Sequence, residues 1–205
     1  NRPWQVAKYL IFDILAATIS WVVFFIYRKA IIEPQRFGID IPIEFNNRFY
    51  LGLIFIPVFW VTIYYITGFY KNNFRRSRLI ELGQTFTTSV AGVVVIFFTL
   101  ILDDFIHSYK NYYQLFFTLF FLHFLLTYFF RLVITTQTIH KIHQRKIGFN
   151  TLLIGSNEKA LKIFNEMNQQ KYPAGNLFVG FVGLGNNNDA LLSKYLPKLG
   201  KFSEL

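Results

Sequence analysis

The sequence predicts an α-helical membrane protein: a four-transmembrane-helix bundle followed by part of an α/β domain in the cytoplasm. Three observations predict it. The 205 residues are 53% hydrophobic and only 16% charged, against about 25% charged in ordinary soluble domains. That balance excludes an ordinary cytosolic enzyme and a disordered tail alike. The apolar residues gather into four runs, 9–27, 49–70, 82–102 and 112–130, and beyond residue 146 they give way to short runs separated by Gly, Asn and Pro.

Each run holds about 20 residues, enough at 1.5 Å rise per residue to cross a hydrocarbon core of about 30 Å. A cleaved signal peptide accounts for the first run alone. That run is too long for one, and no small-residue cleavage site follows it. A soluble bundle fails because no run has a polar face. Pro57 is expected to kink the second run, with a neighbour satisfying the freed carbonyl. Phe and Tyr dominate the second and fourth runs, as suits lipid-facing surfaces and interfacial belts. The third carries Thr85, Thr87, Thr88, Ser89, Ala91 and Gly92. Small and hydroxylated residues let backbones approach, which places this helix at the packed centre. The basic segment 131–146 extends the fourth helix out of the membrane and closes a transmembrane domain over 1–146.

Charge sets the orientation. The chain has 21 Lys and Arg against 11 Asp and Glu, a net charge of +10. In so apolar a chain this points to the inner membrane surface before nucleic acid. Arg2, Lys8, Lys71, Arg75, Arg76, Arg78, Arg131, Lys141, Arg145 and Lys146 all flank one side, opposed there by Glu81 alone. On the other side Arg28, Lys29, Arg36, Arg48 and Lys110 are balanced by Glu33, Asp40, Glu44, Asp103 and Asp104. Both termini are therefore expected in the cytoplasm. Arg28 and Lys29 fit this orientation least well. The absence of Cys removes disulfides, thiolate catalysis and Cys-based zinc sites.

Residues 147–205 read as the N-terminal part of a Rossmann-like cytoplasmic domain. Phe149–Ile154 is a buried strand, Asn157–Gln170 an amphipathic helix and Asn176–Val182 a second strand. Ala160, Leu161, Phe164 and Met167 share one helical face. A strand–helix–strand unit of this length makes a parallel crossover, and Asp189–Tyr195 begins another helix.

Several positions invite chemistry. Gly155, Ser156, Asn157 and Glu158 occupy the turn where a dinucleotide fingerprint would lie, its glycines letting amides and a helix N-terminus approach phosphate. Gly155 matches, Asn157 replaces the second Gly while tolerating left-handed geometry, and Ala160 is an accepted third residue. No acid closes the second strand, so a purely structural tight turn competes with nucleotide binding. Asp13 lies inside the first run, where an ionisable group is costly unless paired. A structural ion pair with Arg131 leads, ahead of Asp13 snorkelling to the interface and of a functional role. His123, mid-span, reads as a helix–helix hydrogen-bond donor before a proton relay. His140 and His143 are three apart on a helix, but no third metal ligand is spaced to join them. Asp103 and Asp104 read as interfacial. Lys71, Arg75, Arg76 and Arg78 form a basic cluster beside a span, suited to anionic lipid head groups at about 1 kcal/mol per charge. Recognition of a phosphorylated lipid or nucleotide-sugar is the sharper alternative. Polar residues facing an intramembrane path are almost limited to Asp13 and His123, which disfavours a transporter.

The stretch NTLLIGSNEKA at Asn150–Ala160 and NLFVGFVG at Asn176–Gly183, after four spans and a basic exit, resembles the N-terminal half of bacterial polyprenyl-phosphate sugar-1-phosphate transferases. Their corresponding strings look like VLIVGAGEAG and VVGFVDD, and Leu196–Gly200 is similar to their PVLG loop. The chain departs at Asn157 and at Gly183-Leu184, where the family has Gly and an acidic pair. The resemblance implies a parent protein of the bacterial inner membrane that moves sugar-1-phosphate from a nucleotide-sugar to undecaprenyl phosphate, starting capsule, exopolysaccharide or O-antigen synthesis. It also implies contact with the bilayer, and with polyprenyl phosphate and nucleotide-sugar through the parent enzyme. A homodimer is expected, and no nucleic-acid partner. The family's catalytic module lies further C-terminal, with a re-entrant helix and an Asp-Glu pair using Mg2+. No Asp-Glu dipeptide occurs here, so no catalytic residue and no cofactor is assigned to this chain. Membrane-bound nucleotide-sugar 4,6-dehydratases resemble the same front end, and a non-catalytic membrane scaffold is a third class.

Overall fold

A computed structural model describes residues 2–34, 42–71, 77–101, 109–184 and 190–201. The chain divides into two compact units, Asn1–Thr136 and Gln137–Leu205.

The first unit is helical. Helix α1 covers Arg2–Tyr27 and passes into a wider π turn at Arg28–Ile32. Helix α2 covers Asn47–Ile66, begun by the Asn46 side chain, which accepts the Phe49 amide at 3.2 Å. Helix α3 covers Arg78–Ile96, begun by Ser77 in the same way on Ile80 at 3.3 Å, and passes into a π turn at Phe97–Ile101. Helix α4 covers Tyr109–His143. Caps of this kind satisfy amides that the first helical turn leaves without partners. Four stretches, Pro3–Ile32, Asn47–Ile66, Arg78–Thr99 and Asn111–His143, are long and apolar enough to cross a membrane. Each helix outruns or shifts from its apolar run, as polar residues continue it; Gln5 at the start of α1 and Thr135 on α4 are buried within the unit. Pro57 lies inside α2, which continues to Ile66.

The distribution of polarity is inverted relative to a soluble bundle. Ile11, Ile14, Leu15, Ile54, Phe55, Phe117, Phe121 and Phe129 face outward, while Gln5, Asp13, Ser20, Glu81, Thr85, Ser89, His123, Thr127 and Arg131 are buried. That arrangement suits a hydrocarbon exterior, where an apolar side chain loses nothing and a polar one needs an internal partner. On α1 the inward stripe is Gln5, Tyr9, Asp13, Ala16, Ala17, Ser20 and Phe24, the spacing of one helical face. Arg28 and Lys29, expected to sit badly at this end of the bundle, both meet Glu33, at 3.6 and 2.7 Å.

The third helix is not the most enclosed. In its most apolar stretch 33% is buried, the same as for α2 and α4, against 44% for α1. Thr85, Thr88, Ser89 and Gly92 do face inward, but Thr87 and Ala91 are exposed, so its small residues make a stripe rather than a sleeve. Within that stripe Gly92 lies against the Trp60 indole, where an added Cβ would overlap the ring.

The second unit contains β1 (Phe149–Ile154), α5 (Glu158–Gln169), β2 (Asn176–Gly183), α6 (Ala190–Ser193) and β3 (Lys198–Lys201). The strands form a parallel sheet in the order β1-β2-β3, with register shifts between Thr151 and Leu152 and between Phe181 and Val182. Leu153, Ala160, Phe164, Phe181, Leu192 and Leu196 form its core. Leu161 and Phe178 pack against that core, and Met167 is half-buried, so the apolar helical face lies where its spacing places it. Strand β3 is the departure, since its residues read as a loop in the sequence. Two Lys and one Gly in four residues carry no β-branched signal. Pairing draws the segment in, with the Phe181 amide donating to the Pro197 carbonyl at 3.0 Å.

The Gly92 contact gives a direct test. Gly92→Leu is expected to lose about 1–3 kcal/mol through overpacking. Gly83, with open space around it, is expected to accept Ala with no loss. Equilibrium unfolding in mixed micelles checks both.

Candidate functional site

The interior of the helical unit is organised around one charged pair. Arg131 of α4 donates to Asp13 of α1 through two nitrogens, Nε to Oδ1 at 2.9 Å and Nη2 to Oδ2 at 2.8 Å. The two side chains are 0% and 1% exposed. Bidentate geometry of this kind is the strongest arrangement available to a guanidinium and a carboxylate. Elsewhere on the group, Arg131 Nη1 donates to Thr85 Oγ1 at 3.0 Å, and the Tyr70 hydroxyl donates to Asp13 Oδ2 at 2.9 Å. The guanidinium carbon lies 4.0 Å from the Tyr64 ring centre and 3.6 Å from that of Phe69. The cation is thus in contact with two aromatic rings, an electrostatically favourable setting once water is excluded.

Polar contacts continue in both directions, between α3 and α4 on one side and between α2 and α4 on the other. One helical turn beyond Arg131, Thr135 bonds the carboxylate of Glu81 and shares a 2.7 Å contact with the Tyr9 hydroxyl. One turn below Arg131, Thr127 approaches His123 Nε2 at 3.4 Å, and Tyr64 contacts the same nitrogen at 2.8 Å. The His123 ring stacks on Trp60 with centres 3.5 Å apart and planes 13° apart. Glu81 and Thr85 on α3 therefore meet Thr135 and Arg131 on α4 in antiparallel order. The reading that polar interior groups were nearly confined to Asp13 and His123 is corrected by this seam. Its signal was present in the sequence: 81, 85, 88, 89 and 92 fall on one helical face. In the sequence Glu81 reads as a flank charge and Tyr70 as the end of an apolar run.

The arrangement is suited to holding helices together. Asp13 and Arg131 neutralise one another away from solvent, with the Thr85 and Tyr70 hydroxyls and the Tyr64 and Phe69 rings about them. His123 bridges α4 to α2 through Tyr64. His140 contacts Gln144 at 2.7 Å and His143 packs beside the Tyr172 ring at 5.2 Å. Among the described residues no three His, Asp or Glu converge as a metal would need. Lys71 and Arg78 are exposed; Arg75, Arg76, Asp103 and Asp104 lie outside the described residues.

In the second unit, Gly155 has φ +115, a conformation that L side chains rarely adopt, and its amide donates to the Val182 carbonyl at 2.8 Å. Asn157 does not take the left-handed geometry allowed for it. It is extended, at φ −83 and ψ 176, and its side chain accepts the Ala160 amide at 3.0 Å. That amide is one of those a phosphate would use at a helix N-terminus. Glu158, in the first turn, adds a negative charge there. Ser156 is buried, and the Leu184 side chain lies beside the turn at Gly155. Residues 155–158 thus form a capped strand-to-helix turn in which one of the helix's open amides, that of Ala160, is occupied by its own chain.

The ion pair is tested by breaking it from one side and then from both. Asp13→Asn or Arg131→Gln alone is expected to lose about 3–5 kcal/mol, because each leaves a buried charge without its partner. The double variant should recover most of that loss in a micelle unfolding assay. A double variant no more stable than the singles would show that the two side chains act separately.

No family model, no curated protein and no solved structure matches this chain.

Proposed function

We propose that the chain is the membrane anchor and accessory region of a bacterial phosphoglycosyl transferase, one that moves sugar-1-phosphate from a nucleotide-sugar to undecaprenyl phosphate at the start of surface-polysaccharide synthesis. The observation that carries this reading is the order of parts. Four candidate spans are followed by a strand, a tight Gly155 turn, a helix and a parallel second strand, and their strings resemble that family. The α/β unit is then the start of a Rossmann-like domain. The interior of the bundle supports an anchoring role, since its ionisable groups are engaged with one another. Catalysis, with its Mg2+, belongs to a module of the parent protein with its own Asp-Glu pair. Polyprenyl phosphate and nucleotide-sugar are partners of that parent, and two copies associate in the membrane.

The membrane is the bacterial inner membrane, with both termini in the cytoplasm. This orientation rests on the basic residues flanking one side of the spans. The membrane-bound 4,6-dehydratase remains the second reading, because the same strings open that family's accessory domain.

The coding sequence downstream of Leu205 separates these readings. A basic segment, a re-entrant helix and Asp-Glu are expected; a complete GxxGxxG with Tyr-x-x-x-Lys would make the parent a dehydratase. An in-frame stop at that point would favour a scaffold. Membranes carrying this chain alone are expected to show no transfer of sugar-1-phosphate to undecaprenyl phosphate, and measurable turnover would overturn the assignment of catalysis to another module. Orientation is checked separately, since the chain has no native Cys. Glu44→Cys should react with an impermeant maleimide in spheroplasts, and Lys162→Cys only after lysis.

A further inference from the structure

Within the second unit, the end of α4 and the connection after α5 are drawn together. Helix α4 closes on a reversal at Arg145, whose φ of +58 is left-handed. The Arg145 amide donates to the Ile142 carbonyl and the Lys146 amide to that of Lys141, both at 2.9 Å. Glycine usually holds the left-handed place in such a motif, because a Cβ there is strained. Arg145 holds it here and uses its side chain: Nη2 donates to the Asn168 carbonyl at 2.7 Å, satisfying an acceptor in the last turn of α5. Ile142 is buried so close to Gly175 that an added Cβ would meet its Cγ2 at 2.9 Å. The His143 ring lies 5.2 Å from that of Tyr172.

This joint gathers cations from two segments. Lys141, Arg145 and Lys146 come from the reversal and Lys171 from the residue before Tyr172, and all four are exposed. No acid is interleaved with them, since residues 137–157 and 167–188 contain neither Asp nor Glu. Glu166, the acid nearest Lys171 in sequence, is 3.9 Å from Lys162. Like charges gathered in this way repel one another and raise the local potential. A fold that assembles them without an acidic partner has built a surface for an anion.

The place of the cluster on the chain identifies that anion. It lies at the end of the same helix whose stretch Asn111–His143 is long and apolar enough to cross a membrane. Basic groups directly beside a span act on anionic lipid head groups, each contributing about fivefold to the docking equilibrium. Tyr172, exposed beside them, is of the residue type that settles at a lipid interface. A soluble polyanion would have to be recruited from solution. The bilayer is held at high effective concentration by the span itself.

We propose that Lys141, Arg145, Lys146 and Lys171 dock the second unit onto the anionic head groups of the membrane that α4 crosses. The cluster is separate from Lys71 and Arg78, which belong to the first unit. The inference rests on the reading of α4 as a span, and it holds for either orientation of the chain.

The test uses the full chain in nanodiscs, open on both faces, made of phosphatidylcholine alone or mixed with phosphatidylglycerol. With no native Cys, a fluorophore on Gln170→Cys, beside the cluster, can be read against one on Lys159→Cys, in the first turn of α5; both positions are exposed. Quenching by a nitroxide on the lipid head group is expected to be several-fold stronger at 170 than at 159 in the anionic discs. The difference should shrink in phosphatidylcholine alone and fade as salt is raised. Lys141→Glu with Lys146→Glu and Lys171→Glu should abolish it while leaving the melting temperature within a few degrees. Equal quenching at the two positions, indifference to lipid charge, or a difference that survives the triple variant would overturn the proposal. So would a labelled oligonucleotide that binds the phosphatidylcholine discs and is lost in the triple variant, since the cluster would then belong to nucleic acid. Maleimide labelling of Glu44→Cys and Lys162→Cys reports orientation independently, so a reversed chain and a failed docking have different signatures.

Discussion

The helical unit depends on a constraint that few side chains satisfy. A guanidinium within a candidate span must be neutralised, and its remaining donors must be bonded without water. Arg131 meets that requirement through four separate segments: Asp13 from α1, the Tyr64 and Phe69 rings from α2 and the turn after it, Thr85 from α3, and its own position on α4. Each contact fixes a rotation and a height of one helix relative to another. Aliphatic packing alone specifies these poorly when the outside of the bundle is as apolar as the inside. The pair is therefore best understood as a source of register. Thr135 with Glu81, and His123 with Tyr64, repeat the same logic one to two turns away.

The second unit solves a different problem with different means. Its core is small and mixes Leu with Phe164 and Phe181, its helix carries a single apolar stripe, and its turn is fixed by a positive-φ glycine and an Asn cap. On its helix α5 the polar residues lie outward and Ala160 and Phe164 inward, in the usual way of a soluble helix. One chain thus contains two opposite distributions of polarity. The fourth helix carries the change in its own composition, from Phe-rich at its start to basic at His140, Lys141 and His143.

Much of this was legible in the sequence, for identifiable reasons. Length and hydropathy reveal spans because nothing else places about 20 apolar residues in a row. Strand β1 was readable to the residue and α5 nearly so, because Gly155 and Asn157 punctuate both. Pairing Asp13 with Arg131 was within reach because each was costly and they fell at similar depth. Other features depended on the third dimension. Glu81 resembles any flank acid until α4 brings Thr135 against it. Tyr9, Tyr64 and Tyr70 resemble belt aromatics until their hydroxyls find partners. Strand β3 has no propensity of its own and exists because β2 offers an edge.

The sequence separation of the central pair has a consequence for how the protein is made. Asp13 and Arg131 are 118 residues apart, so the first candidate span is complete long before its counter-ion has been synthesised. Until the last helix arrives, Asp13 is an unneutralised acid in a nascent chain, and the same holds for any fragment that stops before Arg131. Completion of the bundle is thus recorded in its electrostatics.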